Sequence, residues 1–320
     1  MKKIISLLIV LAFLFVGFYG CADVKDDGKT EIVCTVFPIY DWLRNIVGEE
    51  SEDIEISLLI KNGTDPHSYS PTPADIVKIS GCDVLIMVGG ESDKWISDVL
   101  KGKTNEDMTV IRLLDLMKDG LVSEETVEGM QGDDHDHHNE ENAYDEHVWL
   151  SLKNAEMICG GIAEKLSEKM PEKSDKIDEY TQKYIQLLRE LDKRYADTVS
   201  AAEGRTLVFA DRFPFRYLTE DYGLEYFAAF SGCSADSEAS FETVAFLAKK
   251  LDELGLDSLI ILESSERTLA DTVISSTKSK KADVLIMDSM QSITSKDIDS
   301  GETYISIMEK NLSALTLALG

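Results

Sequence analysis

PEKSDKIDEYTQKYIQLLRELDKRYADTVSAA, residues 171–202, contains neither glycine nor proline after Pro171. Pro171 suits a first helical position, where its missing N–H costs no hydrogen bond. Ile177, Tyr180, Tyr184, Leu187, Leu188, Leu191, Tyr195 and Val199 recur at threes and fours and mark one helix face. Roughly 30 residues at 1.5 Å each span about 45 Å. That length predicts a stiff strut between two bodies rather than a flexible linker.

The text on either side of the strut alternates β-rich runs with helical patterns. Before it, strands are expected at Ile32 to Phe37, Ile54 to Ile60, Asp83 to Val88 and Thr109 to Leu114, with a helix from Pro73 to about Ser80. After it, strands are expected at Thr206 to Ala210, Tyr226 to Phe230, Ser258 to Leu262 and Asp283 to Asp288. Such alternation predicts parallel sheets covered on both faces. The expected fold is α/β, two similar lobes with mostly parallel sheets joined by one long rigid helix. The boundaries are 31–168 for the N-terminal lobe, 169–203 for the connecting helix and 204–320 for the C-terminal lobe. DVLIM occurs at 83–87 and again at 283–287, a hint that the lobes are alike.

A length of 320 residues predicts about two domains on its own. The 60 acidic residues against 32 Lys plus Arg give a net charge of −28, which argues against a nucleic-acid backbone as partner. The simplest reading of the excess is a solvated surface; the sharper one is attraction of cations. Five cysteines are too few for a disulfide scaffold, and none forms a CxxC. Cys34, Cys82, Cys159 and Cys233 could pair in an exported protein, with no connectivity fixed by spacing.

Met1-Lys2-Lys3 is basic, Ile4 to Phe18 is almost wholly apolar, and Gly20 precedes Cys21. This describes a secretory signal over residues 1–20. It resembles a bacterial lipoprotein signal, in which the cysteine is lipidated and becomes the new N-terminus, although Phe18 stands where such signals usually carry Leu. An uncleaved anchor of about the minimum spanning length is the alternative. Either reading puts the remainder outside the cytoplasm, on a polar tether over 21–30.

Only five histidines are present. His135, His137 and His138 lie in an acidic low-complexity segment, 132–141, expected to be a mobile loop that binds divalent metals weakly. His67 lies in GTDPHSYSPTPAD (63–75), a loop stiffened by prolines after a strand. His147 lies in DEHVWLS (145–151), just after the acidic segment. Metal ligation and structural hydrogen bonding both fit these two residues.

DPHSYSPTPADI, the His/Asp-rich segment, then DEHVWLSLKNAEMI, together with TVFPIYDWLRNIVGE, YGLEYFAAFSGCSADSEAS and ADVLIMDSM, resemble the solute-binding lipoproteins of zinc and manganese ABC importers, the cluster A-I family, in its zinc-uptake branch. The resemblance covers essentially the whole mature chain. It implies a metal site in the interlobe cleft, His67 and His147 as first-lobe ligands, and Asp288 as a second-lobe ligand. It also implies an ABC permease as partner, a lipid-anchored extracytoplasmic location, and no enzymatic activity; a monomer is expected. The family's third ligand is a His or Glu after the first strand of the second lobe. Here that region reads TLVFADRFPFRY (206–217), and counting back from Tyr222-Gly223-Leu224 puts Arg212 at the position. A guanidinium has no lone pair for a metal, so Asp211 is the leading candidate. Glu263, Cys233, Glu238, a water or a ligand from the acidic segment stay open, and Arg212 is expected to pair a carboxylate nearby.

Two imidazoles and carboxylates suit zinc, and also manganese or ferrous iron. The two His and the His-rich segment favour zinc, while the missing third His pulls toward manganese. Rival readings are a metal-dependent hydrolase, for which there is no HExxH or GxSxG, and a surface adhesin. Tyr69, Trp95, Trp149, Phe213 and Phe215 are read as packing residues, and Ser68 and Ser151 are not read as nucleophiles.

Overall fold

The computed structural model describes residues 28–48, 51–117, 120–131, 144–234 and 238–320. The signal, Cys21, most of the tether and the 132–141 segment with His135, His137 and His138 lie outside the described residues.

Among the described residues, eight strands form two four-stranded sheets, β1 (Thr30–Cys34), β2 (Ile54–Leu58), β3 (Val84–Met87) and β4 (Thr109–Arg112), then β5 (Thr206–Phe213), β6 (Glu225–Ser231), β7 (Ser258–Leu262) and β8 (Asp283–Met287). The strand orders are β2-β1-β3-β4 and β6-β5-β7-β8, with every pairing parallel. The two lobes therefore share one topology. The repeated pentapeptide does not mark it, because DVLIM supplies the third strand of one sheet and the fourth of the other. In β3 its Val84, Leu85, Ile86 and Met87 are all buried, whereas on edge strand β8 Ile286 is 56% exposed. The two sites differ because an edge strand lacks a neighbour on one side.

The connecting helix runs Ser174–Ala201, preceded by a 3-10 turn at Pro171–Lys173. Pro171 thus opens the turn rather than the α-helix. The buried face is Ile177, Thr181, Tyr184, Ile185, Leu188, Leu191, Tyr195 and Val199; Leu187 is 49% exposed. The expected stripe is right at most positions but turned slightly, because the helix is covered from two sides. It packs on Leu152–Lys169 and Phe37–Val47 from one lobe and on Tyr304–Leu319 from the other.

That third contact joins the two lobes in one shared core, while the second lobe keeps a further cluster of its own around Leu247 and Leu259. The Tyr195 hydroxyl donates to the Met308 carbonyl at 2.6 Å, and the Tyr304 hydroxyl donates to the Trp149 carbonyl at 2.6 Å. Trp42 and Tyr304 meet edge to face at 5.2 Å. The buried Asp41 carboxylate accepts the Tyr304 N–H at 3.0 Å. The strand ends that converge on the cleft are all carboxyl ends, where ligands of open α/β sheets gather.

Candidate metal centre

His67 follows β2 in a 3-10 turn, Pro66–Ser68. Asp65 caps that turn by accepting the His67 N–H at 2.9 Å, and Pro66 sits at the turn's start. The other Asp65 oxygen accepts from Arg212 Nη2 at 2.6 Å, so an arginine of the second lobe holds the loop that carries a first-lobe histidine. Burial would raise the Asp65 carboxyl; Arg212 outweighs it and keeps it below the usual carboxylate range.

His147 is fully buried. Asp145 Oδ1 accepts both its N–H at 2.8 Å and its ring Nδ1–H at 2.9 Å. The next residue does the same for the other imidazole, with Glu146 Oε1 3.2 Å from His67 Nδ1. Glu146 Oε2 accepts the Ser92 N–H and hydroxyl at 3.2 and 2.8 Å. This close approach needs Gly90, where a Cβ would lie 2.2 Å from Glu146 Oε2. Burial would raise the Glu146 carboxyl, but the hydrogen bond and charge of His67, with the charge of His147, hold it down at about 2. Burial likewise would lower the His147 pKa, and Asp145 first, then Glu146 and Glu124, reverse it and raise it.

Two adjacent carboxylates thus orient two imidazoles. In the neutral form each Nδ1 donates its hydrogen, which leaves each Nε2 with a bare lone pair. Those two Nε2 atoms face one another at 3.3 Å. A contact between two acceptors is repulsive unless a cation lies between them. Two nitrogens each about 2.0–2.1 Å from one tetrahedral zinc lie about 3.3–3.4 Å apart, so the observed spacing fits. The Gln291 amide nitrogen also reaches His67 Nε2, at 3.3 Å. Among the described residues, the metal-binding groups whose donor atoms all lie within 4.8 Å of one another are His67, His147 and Cys233.

Asp211 and Asp288 lie outside that group. Asp211 is buried and spends its carboxylate on the Leu262 N–H at 2.9 Å and the Arg212 N–H at 2.8 Å. The cause is local: β5 shifts register between Phe209 and Arg212, which turns Asp211 inward and sends Arg212 across to Asp65. Asp288 accepts the Met290 N–H at 2.7 Å. Burial first, then the charge of Glu263, pushes its carboxyl up to about 7. Glu263 is engaged by the Ser289 N–H and by the Ser289 and Ser292 hydroxyls. Glu238 contributes its backbone carbonyl to Gln131. Trp149 packs its edge on His147 and donates to the Ser289 carbonyl, while Ser151 caps the following helix through Asn154.

Spacing in the chain left Asp145, Glu146, Ser92 and Gln291 without roles. The only signal for the first two was an acidic pair directly before a histidine. Nothing in the chain near Ser92 or Gln291 points at a site some 54 or 224 residues away in sequence.

The family described as zinc-uptake complex component A periplasmic matches residues 32–318. The zinc-binding lipoprotein AdcA of Streptococcus pneumoniae (strain ATCC BAA-255 / R6) is 34% identical over 319 residues, covering 98% of this chain and 60% of that protein. The high-affinity zinc uptake system protein ZnuA of Bacillus subtilis (strain 168) is 28% identical, covering 92% of this chain and 89% of the relative. The chain spans 60–62% of the length of the AdcA relatives it matches. Among solved structures, the Zn(II)-bound ZnuA-like domain of Streptococcus pneumoniae AdcA superposes with a TM-score of 0.72 at 28% identity, covering 91% of this chain and 99% of that one.

Proposed function

Because the chain belongs to the family of zinc-uptake complex component A, periplasmic, we propose that it captures zinc outside the cytoplasm and hands it to the permease of an ABC importer. The facing Nε2 atoms of His67 and His147, 3.3 Å apart with both Nδ1 hydrogens committed to carboxylates, carry this reading. Zinc is favoured over manganese or iron because the matched relatives are named for zinc. The cation enters as cargo, and it is held by groups that need no rearrangement of their tautomers. Asp145 and Glu146 increase the basicity of the two imidazoles and offset the charge of the ion. Asp288, which the resemblance nominates as a ligand, and Asp211, the candidate beside Arg212, are proposed to act behind the site. Asp211 fixes the strand end that bears Arg212, and Asp288 the loop that bears Gln291.

The reading extends to a lipid on Cys21 that keeps the carrier beside its permease. One acyl chain anchors only marginally, so more than one is expected. His135, His137 and His138 would raise the local metal concentration. The carrier is proposed to act as a monomer.

The test is to strip the purified protein, dialyse it against equimolar zinc and manganese, and count bound metal by mass spectrometry. The expected result is about one tightly held zinc in the wild type, lost in His67→Ala and in His147→Ala. Manganese retained over zinc, or no metal at all, would overturn the reading.

A further inference from the structure

We infer that Cys233 closes this site as a thiolate, so that the carrier holds its cation with two nitrogens from one lobe and one sulfur from the other. The inference rests on the zinc-carrier reading and adds the ligand that this reading leaves open.

Four observations converge on it. The Cys233 sulfur lies within 4.8 Å of one ring nitrogen of each histidine. A tetrahedral zinc with nitrogen at about 2.0–2.1 Å and sulfur at about 2.3 Å needs about 3.6 Å between them, so the remaining closure is at most about 1.2 Å.

The backbone is shaped for that approach. Gly232, at the carboxyl end of β6, lies against His147. A Cβ there would stand 2.9 Å from the Phe213 carbonyl oxygen and 3.0 Å from His147 Cε1. Only glycine lets this loop come so close, and the next side chain is Cys233. Its N–H is fixed by Glu124 Oε1 at 3.2 Å, and its sulfur lies 3.7 Å from Glu146 Oε1.

The competing second-lobe carboxylates lie outside that group of donors. Asp211 and Glu263 accept two or more hydrogen bonds each, and Asp288 accepts one from its own loop. Finally, Cys233 differs from the other described cysteines. Cys34, Cys82 and Cys159 are buried in the shared core, whereas Cys233 is partly exposed beside the histidines, where burial first, then Glu124, Glu146 and Asp145, keep its thiol protonated until a cation arrives.

The chemistry sets the class of cargo. As the metal–sulfur bond forms, the thiol loses its proton to solvent and no electron is transferred. Thiolate is a soft ligand, which suits zinc and cadmium and disfavours manganese. The thiolate would therefore supply the discrimination that a set of two imidazoles and carboxylates lacks.

Cobalt(II) is the probe, because thiolate ligation gives it a near-ultraviolet charge-transfer band that nitrogen and oxygen ligands do not. The stripped wild type loaded with cobalt is expected to show that band. Cys233→Ser is expected to bind cobalt without it, and its zinc affinity should fall about 10- to 100-fold. Alkylation of the wild type, mapped by mass spectrometry, provides a readout independent of whether the variant folds. Zinc should protect Cys233, and manganese at the same concentration should not. A wild type that holds zinc and cobalt but shows no band, or whose Cys233 alkylates equally with zinc present, overturns the thiolate and leaves the carrier intact. A wild type that holds neither metal overturns both.

Discussion

Single residues here act through what they hold as much as through what they offer. Asp145 and Glu146 are neighbours in the chain, yet each commits to a different histidine, and each fixes which nitrogen keeps a hydrogen. Gly232 has no side chain and still shapes the site, since it lets the chain just before Cys233 lie against the His147 ring. Gly232→Ala should still fold, although its Cβ would press on the Phe213 carbonyl at the end of β5 as well as on the His147 ring edge. It should also displace either the ring or the Cys233 loop. Zinc affinity is expected to fall about 10- to 100-fold in a competition titration against a chelator. Unchanged affinity would mean that the loop yields without moving a ligand.

The helix Ser174–Ala201 shows how finely an element's face is set by its surroundings. Leu187 and Leu188 are adjacent and equally apolar, but one is 49% exposed and the other fully buried. Leu188→Ala should cost about 2–5 kcal/mol, because it leaves a cavity as well as losing burial. Leu187→Ala should change stability by less than about 0.5 kcal/mol, the usual range for surface substitutions. Denaturant titration of the two variants checks the contrast, and similar losses would mean that the helix sits rotated from the position described. Strand β5 makes a parallel point. Alternation along a strand already puts Asp211 and Arg212 on opposite faces, and the register shift near Arg212 decides which face each takes.

The whole molecule ties its lobes together through the shared core and through Arg212–Asp65, Trp149–Ser289 and Gln291–His67. Metal binding is then expected to move the lobes little. The titrations of its buried groups predict an uncommon pH response for the metal-free protein. Burial pushes Asp93 up to about 6, and burial with Glu263 pushes Asp288 up to about 7. A carboxyl raised on folding opposes the folded state once ionised, so its cost disappears as pH falls toward the unfolded value near 4. His147, raised on folding, stabilises fully below the unfolded histidine value near 6.5 and less as pH rises through its folded value. Glu146, held at about 2, stabilises above its unfolded value near 4.5 and is lost as pH falls further. The thermal midpoint of stripped protein should therefore rise from pH 7 to about 5 and fall below about 4. Zinc should act in the opposite sense, because it needs neutral imidazoles. The extra midpoint it confers should shrink as pH drops through the histidine range. A metal-free midpoint that falls steadily from pH 7 downward would contradict this assignment.

Much of this was legible in the chain, for a physical reason. Periodicity, glycine and proline report local conformation, so the strut, the alternating strands and the stiffened loop around His67 could be read before any fold was known. The motifs around His67 and His147 were likewise legible, because a loop that must hold an imidazole in place draws on proline and acidic residues close by in sequence. The second-lobe side of the site was not. Whether Asp211 faces a cation or the Leu262 N–H depends on a bulge in β5 and on its neighbour β7. Whether Cys233 meets two histidines depends on a glycine packed against a ring from a segment some 85 residues earlier in sequence. Local propensity determines which elements form. Which buried donors face one another is decided only when the two lobes pack, because hydrogen bonds and lone pairs are settled by distances that chain spacing does not encode.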